Sequence, residues 1–320
     1  MTRRVDWFLV AIIAAAVLAT PLPARGAAVP VVEWATKALV FVLFFLYGAR
    51  LHPDDAVKGL RHWRLHAVIL GFTFGLFPLL GLALGLLSPA VIPQPLYAGL
   101  LYVTLVPSTV QSSINFTSIA RGNVAGAIVS ASASNLLGVV LTPLLAISLM
   151  NTTGNASIRL GSILDLVVQI LLPFALGQLS RRWTARLVEG NRRLKLVDQG
   201  TIVLVVYAAF SAGTRERMWS LVDATDLLVL VAVCAALLAL VLWLTWTVAR
   251  RLGFDRADAI AIQMCGTKKS LATGLPMATV LFAGQPIGLI ILPLMVFHQL
   301  QLMVCAALAS RYARLPPEAD

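Results

Sequence analysis

Charge is scarce in this 320-residue chain, and acidic charge scarcest: 12% of the residues are charged, with 14 acidic against 25 basic. A water-soluble domain could not cover 59% hydrophobic residues with so little polar surface, so a soluble globular fold is excluded and an all-α polytopic membrane protein is implied. Cysteine is nearly absent. Cys234, Cys265 and Cys305 lie in apolar runs without CxxC spacing or a His/Cys cluster, which argues against a disulfide framework or zinc site and leaves buried thiols. Paired carboxylates, HExxH, GxSxG and Gly-rich phosphate loops are missing too, so neither catalysis nor ATP-driven pumping has a motif to rest on, and no cofactor is called for.

What is present is a succession of apolar runs. A membrane-spanning helix needs about 20 mostly apolar residues, and runs of that kind fall near 5–24, 31–50, 65–88, 95–120, 123–150, 160–180, 199–215, 225–249, 257–282 and 286–311. The seventh is short. The loop between the sixth and seventh, Ser180 to Gln199, is basic and amphipathic, suited to lying on a membrane surface.

Lysine and arginine should collect on alternate loops if this span count is right. Arg3, Arg4, Arg50, Lys58, Arg61, Arg64, Arg121, Arg181, Arg182, Arg186, Arg192, Arg193, Lys195, Arg250, Arg251, Arg256, Arg311 and Arg314 fall on one side. Only Arg25, Arg159, Arg215 and Arg217 fall on the other, while Lys37, Lys268 and Lys269 lie inside predicted spans. Both termini therefore read as cytoplasmic, and the net charge of +11 is a matter of topology and anionic lipid rather than of nucleic acid. The first span also resembles a secretory signal, with small residues near Ala24 to Ala28. An uncleaved helix is preferred, because cleavage would break the symmetry of ten spans as five plus five. Asn151-Thr-Thr and Asn155-Ala-Ser match a glycosylation sequon on a predicted external loop.

Two spans are polar, and they are the fourth and ninth of ten, counterparts in an inverted repeat with halves at about 1–152 and 153–320. The fourth carries Pro107 followed by hydroxyls and amides, with Gln111, Ser112, Ser113 and Asn115 as candidate lining residues. The ninth carries Gln263, Thr267, Lys268, Lys269 and Ser270 among the breakers Gly266, Gly274 and Pro276. In lipid an interrupted helix is tolerated only where it faces protein or a water-filled space. Paired interruptions mark the binding sites of secondary transporters, where unwound carbonyls ligate cations and half-helix N-termini attract anions. Serines 130, 132 and 134 on the fifth span are equally well explained by close helix packing.

A mid-bilayer lysine costs about 2.5–3.5 kcal/mol on insertion scales, so two adjacent ones call for a reason. Helical spacing would turn Lys268 and Lys269 about 100° apart, one toward a cavity and one toward another helix. Acidic partners are few: Asp165, and Glu33, which at i,i+4 would pair with Lys37. On the tenth span His298 and Gln301 share a face, either as hydrogen-bonded core residues or as cavity lining and proton handling.

These segments, with Phe44-Phe-Leu-Tyr-Gly-Ala-Arg50 and the turn Ala120-Arg-Gly-Asn123, resemble the bile acid:sodium symporter family over nearly the whole chain. Thr267 to Met277 and His298 resemble its orphan branch, whose vertebrate member is the seventh of solute carrier family ten. The resemblance implies ten helices in a panel domain and a core domain, with the interrupted helices crossing near the bilayer centre. It also implies inward carriage of an organic anion with sodium ions by movement of one domain against the other. In sodium-coupled relatives a glutamate of the ninth span ligates both ions, and Gln263 stands there. Ser112 and Ser113 match the small polar pair of the fourth span. The fifth-span hydroxyl ligands fall at Ala127 and Ala131, and the third-span glutamine near Thr73. A sodium site would thus be left with Ser113 and Gln263. Lys268 and Lys269 occupy positions that are an amide and a small residue on the substrate path of relatives.

The expectation is a single transmembrane transporter domain over 1–320, in the inner membrane and in contact with lipid, moving a small organic anion in the manner of a symporter. A lysine ammonium takes over charge that sodium would bring, or binds the anion, and the coupling ion would be sodium, a proton or none. The alternative is a non-transporting regulator or scaffold with the same fold.

Overall fold

The structure is a computed structural model that describes residues 7–50, 62–150, 167–188, 192–283, 285 and 287–315. It is all-helical, with no strand among the described residues. The helices are α1 (Trp7–Leu18), α2 (Ala28–Arg50), α3 (Trp63–Leu87), α4 (Gln94–Leu105), α5 (Val110–Ile119) and α6 (Val124–Met150). They continue with α7 (Leu172–Val188), α8 (Arg192–Arg215), α9 (Ala224–Arg251), α10 (Arg256–Gly266), α11 (Leu271–Leu281) and α12 (Ile287–Arg314). Among the described residues six stretches, in α2, α3, α6, α8, α9 and α12, are long and apolar enough to cross a membrane. In α9 the mean hydropathy reaches 3.1 while only 33% of the window is buried. Water would not tolerate that exposed apolar surface, and lipid does. The chain is a multi-pass membrane protein.

Two expectations need correction. Ser180 to Gln199 is not a loop between spans: α7 continues to Val188 and α8 already starts at Arg192, so its described residues lie in the ends of two helices. Its basic residues lower its hydropathy, but arginine and lysine are good helix formers. Lys37 does not pair with Glu33, because its ammonium lies over the Trp34 ring at 5.5 Å from the centroid. Asp165, Asn151 and Asn155 lie outside the described residues.

The chain forms two compact units. The first holds Met1–Leu51, Ser157–Asp223 and Leu275–Ile291. Within it α2 and α7 approach to backbone contact, because a Cβ at Gly48 would strike the Phe174 carbonyl and one at Gly177 the Phe45 carbonyl. That mutual need for glycine, together with the Arg50–Asp198 ion pair, accounts for the Tyr47-Gly-Ala-Arg50 ending of α2. The segment after α1 is tied to α8: Ser211 Oγ accepts from Ala24 N at 2.7 Å, and Arg215 donates to the Ala24 carbonyl at 2.9 Å.

The second unit holds His52–Ala156, Ala224–Gly274 and Leu292–Asp320, hence α3 to α6, α9, α10 and the first turn of α11 with most of α12. Its apolar core gathers Leu65, Ile69, Ala127, Ala249, Ala259, Ile262 and Cys265. The Ala120–Asn123 turn closes α5 with Arg121 at φ 60. Asn123 then caps α6 by accepting from Gly126 N at 2.8 Å, and its amide donates to Asp258 on α10 at 2.7 Å.

Candidate functional site

Both polar spans are broken in the middle. Residues 106–109 separate α4 from α5, and residues 267–270 separate α10 from α11. The four half-helices have 12, 10, 11 and 11 residues, about 15–18 Å each at 1.5 Å per residue, so each break falls near the middle of a bilayer-length path. Pro107 has no N–H, and its ring needs room on α6: a Cβ at Gly138 would come within 2.6 Å of Pro107 Cβ.

A broken helix leaves orphan carbonyls, and their partners define the site. Thr104 O accepts from Lys269 Nζ at 2.8 Å, Leu105 O from Thr142 Oγ1 at 2.8 Å, and Val106 O from Lys269 Nζ at 2.9 Å. Pro107 O accepts from Ser270 N at 2.8 Å and Ser108 O from Asn135 Nδ2 at 2.7 Å. Ser108 N, which would have continued the α4 ladder to Thr104, goes instead to Ser134 Oγ at 3.0 Å. On the facing break Ser108 Oγ donates to Cys265 O at 2.7 Å and Thr109 Oγ1 to Lys269 O at 3.0 Å. Gln301 grips the Lys269 peptide from α12, accepting from its N–H at 2.8 Å and donating to its carbonyl at 2.8 Å. The two breaks therefore cross and satisfy one another inside the second unit.

The two lysines part company at this crossing. Both are fully buried, and the backbone that joins them is not helical. Lys269 spends its three ammonium protons on the carbonyls of Thr73, Thr104 and Val106, at 3.0, 2.8 and 2.9 Å, and lies 4.1 Å from the centroid of the Phe77 ring. Among the described residues Lys268 Nζ meets no oxygen or nitrogen acceptor. It sits 4.1 Å from the centroid of the Phe116 ring, beside the Cys305 and Cys265 thiols, and sulfur is a weak acceptor. One turn before Phe116, the Ser112 hydroxyl is likewise buried without a partner.

The remaining candidates scatter around this crossing. Ser113 is fully buried with its hydroxyl 3.5 Å from Ser108 Oγ, whereas Gln111 and Asn115 are on the exposed side of α5. Ser270 caps α11, accepting from Thr273 N at 3.2 Å. Thr267 bonds back to the Gln263 carbonyl at 2.6 Å. The Gln263 side chain is engaged at both ends, donating to Leu242 O at 2.8 Å and accepting from Tyr312 OH at 2.9 Å, so it is not turned to the crossing or joined to Ser113. His298 Nδ1 is 2.8 Å from Gln301 Nε2 and 3.2 Å from Lys269 O; the shorter contact makes Nδ1 an acceptor and puts the ring proton on Nε2.

Asn135 was not among the sequence candidates. It links the breaks by donating to Ser108 O and accepting from Thr273 Oγ1 at 2.7 Å. An amide in the apolar fifth span was the available signal. Ser134, which close helix packing would explain equally well, supplies the acceptor for the first break. Tyr102 OH adds a bond to the Gly274 carbonyl at 2.7 Å.

Residues 6–314 match the SBF-like CPA transporter family. The chain is 52% identical over 311 residues to an uncharacterized protein of Pseudomonas aeruginosa, covering 97% of this chain and 93% of that one. It is 47% identical over 313 residues to YfeH of Escherichia coli, which bears a provisional symporter name, covering 98% and 94%. The sodium/bile acid cotransporter 7 of Rattus norvegicus is 31% identical over 314 residues, covering 95% and 92%.

Proposed function

Because the chain belongs to the SBF-like CPA transporter family, a family of membrane transporters, we propose that it is a secondary transporter for a small organic anion bound at the crossing of the broken helices. The observation that carries this reading is Lys268: a fully buried ammonium with no oxygen or nitrogen acceptor among the described residues, with the unpartnered Ser112 hydroxyl one turn from the ring it covers. Such a charge is costly in a protein interior unless something pairs with it, and a carboxylate or sulfonate does so. The half-helices α5 and α11 begin at Val110 and Leu271, directly after the breaks, so their positive ends reinforce an anion there.

In this reading Lys268 and Ser112 hold the anionic group, Ser113 and Ser270 line its surroundings, and His298 with Gln301 keeps the Lys269 peptide in place. The halves 1–152 and 153–320 are inverted repeats, and the protein sits in the inner membrane with both termini cytoplasmic. The crossing moves as one body, since the breaks share their hydrogen bonds.

The test is a thermal-shift panel of small carboxylates, sulfonates and larger amphipathic anions on purified protein in nanodiscs, followed by uptake into proteoliposomes for those that bind. At least one anion raises the unfolding midpoint of the wild type, and K268M weakens its binding tenfold or more. A wild type indifferent to every class, or a K268M that binds as well as the wild type, would sink the proposal.

A further inference from the structure

The carbonyls around Lys269 form a seat that the helices leave open by design of the backbone. Thr73 lies in a π-turn, Phe72–Leu76, of α3. In an α-helix its carbonyl would accept from Phe77 N, but that N–H goes to Phe72 O. The donor one residue further on would be Pro78, which has none. Thr73 O has thus lost both of its backbone donors. Thr104 O has lost Ser108 N to Ser134, and Val106 O lies in the break itself. Three orphan carbonyls converge at 2.8–3.0 Å on one point, at the C-terminal, negative end of α4, with the face of Phe77 closing the shell.

Among the described residues no carboxylate is hydrogen-bonded or ion-paired to this point. Neutral carbonyl oxygens around a single positive charge are the coordination that monovalent-cation sites use, whereas a buried ammonium held for stability alone would more commonly meet an acid. We propose that Lys269 is a tethered cation: its ammonium occupies a monovalent-cation seat made of the Thr73, Thr104 and Val106 carbonyls. The crossing is consequently charged and held together without an alkali ion, and no sodium is needed to close it. This bears on coupling only if the transport reading above holds, but the seat and its occupant do not depend on that reading.

Because Lys269 supplies the charge covalently, its removal converts a cation-independent protein into a cation-binding one. K269A leaves the three carbonyls and a space the length of a lysine side chain. The experiment uses purified full-length wild type and K269A in nanodiscs, with thermal unfolding followed in choline, sodium, potassium, lithium and methylammonium chlorides at constant ionic strength. No organic anion is added, so a failure of the transport reading leaves this assay untouched. Expected is a wild-type midpoint that is the same in sodium and choline, and a K269A midpoint that is lower in choline and rises by several degrees, saturably, with sodium, potassium or methylammonium. K269R, which keeps a charge in place, should be indifferent to the cation. Three results overturn the proposal: a wild type stabilised by sodium over choline, a folded K269A indifferent to every cation, or a K269A that yields no folded protein in any of the salts.

Discussion

Lys269 and Thr73 are joined by a hydrogen bond of 3.0 Å from an ammonium to a carbonyl that a π-turn and a proline have stripped of backbone donors. A local irregularity in one helix thus supplies the acceptor for a residue 196 positions later.

That coupling is measurable. Replacing Pro78 by alanine returns an N–H to α3 and gives Thr73 O a backbone donor. Pro78→Ala and Lys269→Met should then be non-additive, with an interaction energy in the range of about 0.5–3 kcal/mol in denaturant unfolding. Additive effects would mean that the irregularity and the lysine are independent.

The two lysines should respond oppositely to removal of charge. Lys269→Met leaves three buried carbonyls without a donor and should cost on the order of 3 kcal/mol or more of stability. Lys268→Met removes an ammonium that meets no oxygen or nitrogen acceptor among the described residues and should leave the unfolding midpoint unchanged or raised, while weakening anion binding. Equal destabilisation by the two variants would contradict the division of roles.

Asn135 acts as the brace between the breaks. Asn135→Ala orphans the Ser108 carbonyl and the Thr273 hydroxyl, at about 1–3 kcal/mol for each unsatisfied buried group. Hydrogen exchange should then rise at residues 106–109 and 267–270 while that of α9 stays as in the wild type.

Gly138 makes room for Pro107. Gly138→Ala places a methyl 2.6–2.7 Å from the proline ring, and overpacking of this kind costs about 1–3 kcal/mol. Gly48→Ala should be worse, because the obstacle is the Phe174 carbonyl of another helix and not the edge of a side chain. Expression and monodispersity of the two variants, compared with Gly200→Ala, where nothing lies within 4 Å, report the difference.

Hydropathy and breakers were enough to read an all-helical membrane protein and the positions of both broken helices. Each is local along the chain: a run of about 20 apolar residues, a proline, a glycine. The same local reading misjudged 180–199, where basic residues hid two helix ends, and paired Glu33 with Lys37 by spacing alone.

What only the tertiary structure decided is which side chain answers which orphan backbone group. Lys268 and Lys269 are adjacent and chemically identical, yet one meets three carbonyls and the other an aromatic face, because their surroundings come from α3, α4, α5 and α12. Val106 O and Lys269 Nζ meet across 163 residues, and Gln263 is drawn toward Leu242 and Tyr312 rather than to the crossing. Hydrophobic burial depends on the composition of a segment and can be read from its sequence. A hydrogen bond requires a donor and an acceptor within about 3 Å, and only the packing of distant helices brings those atoms together.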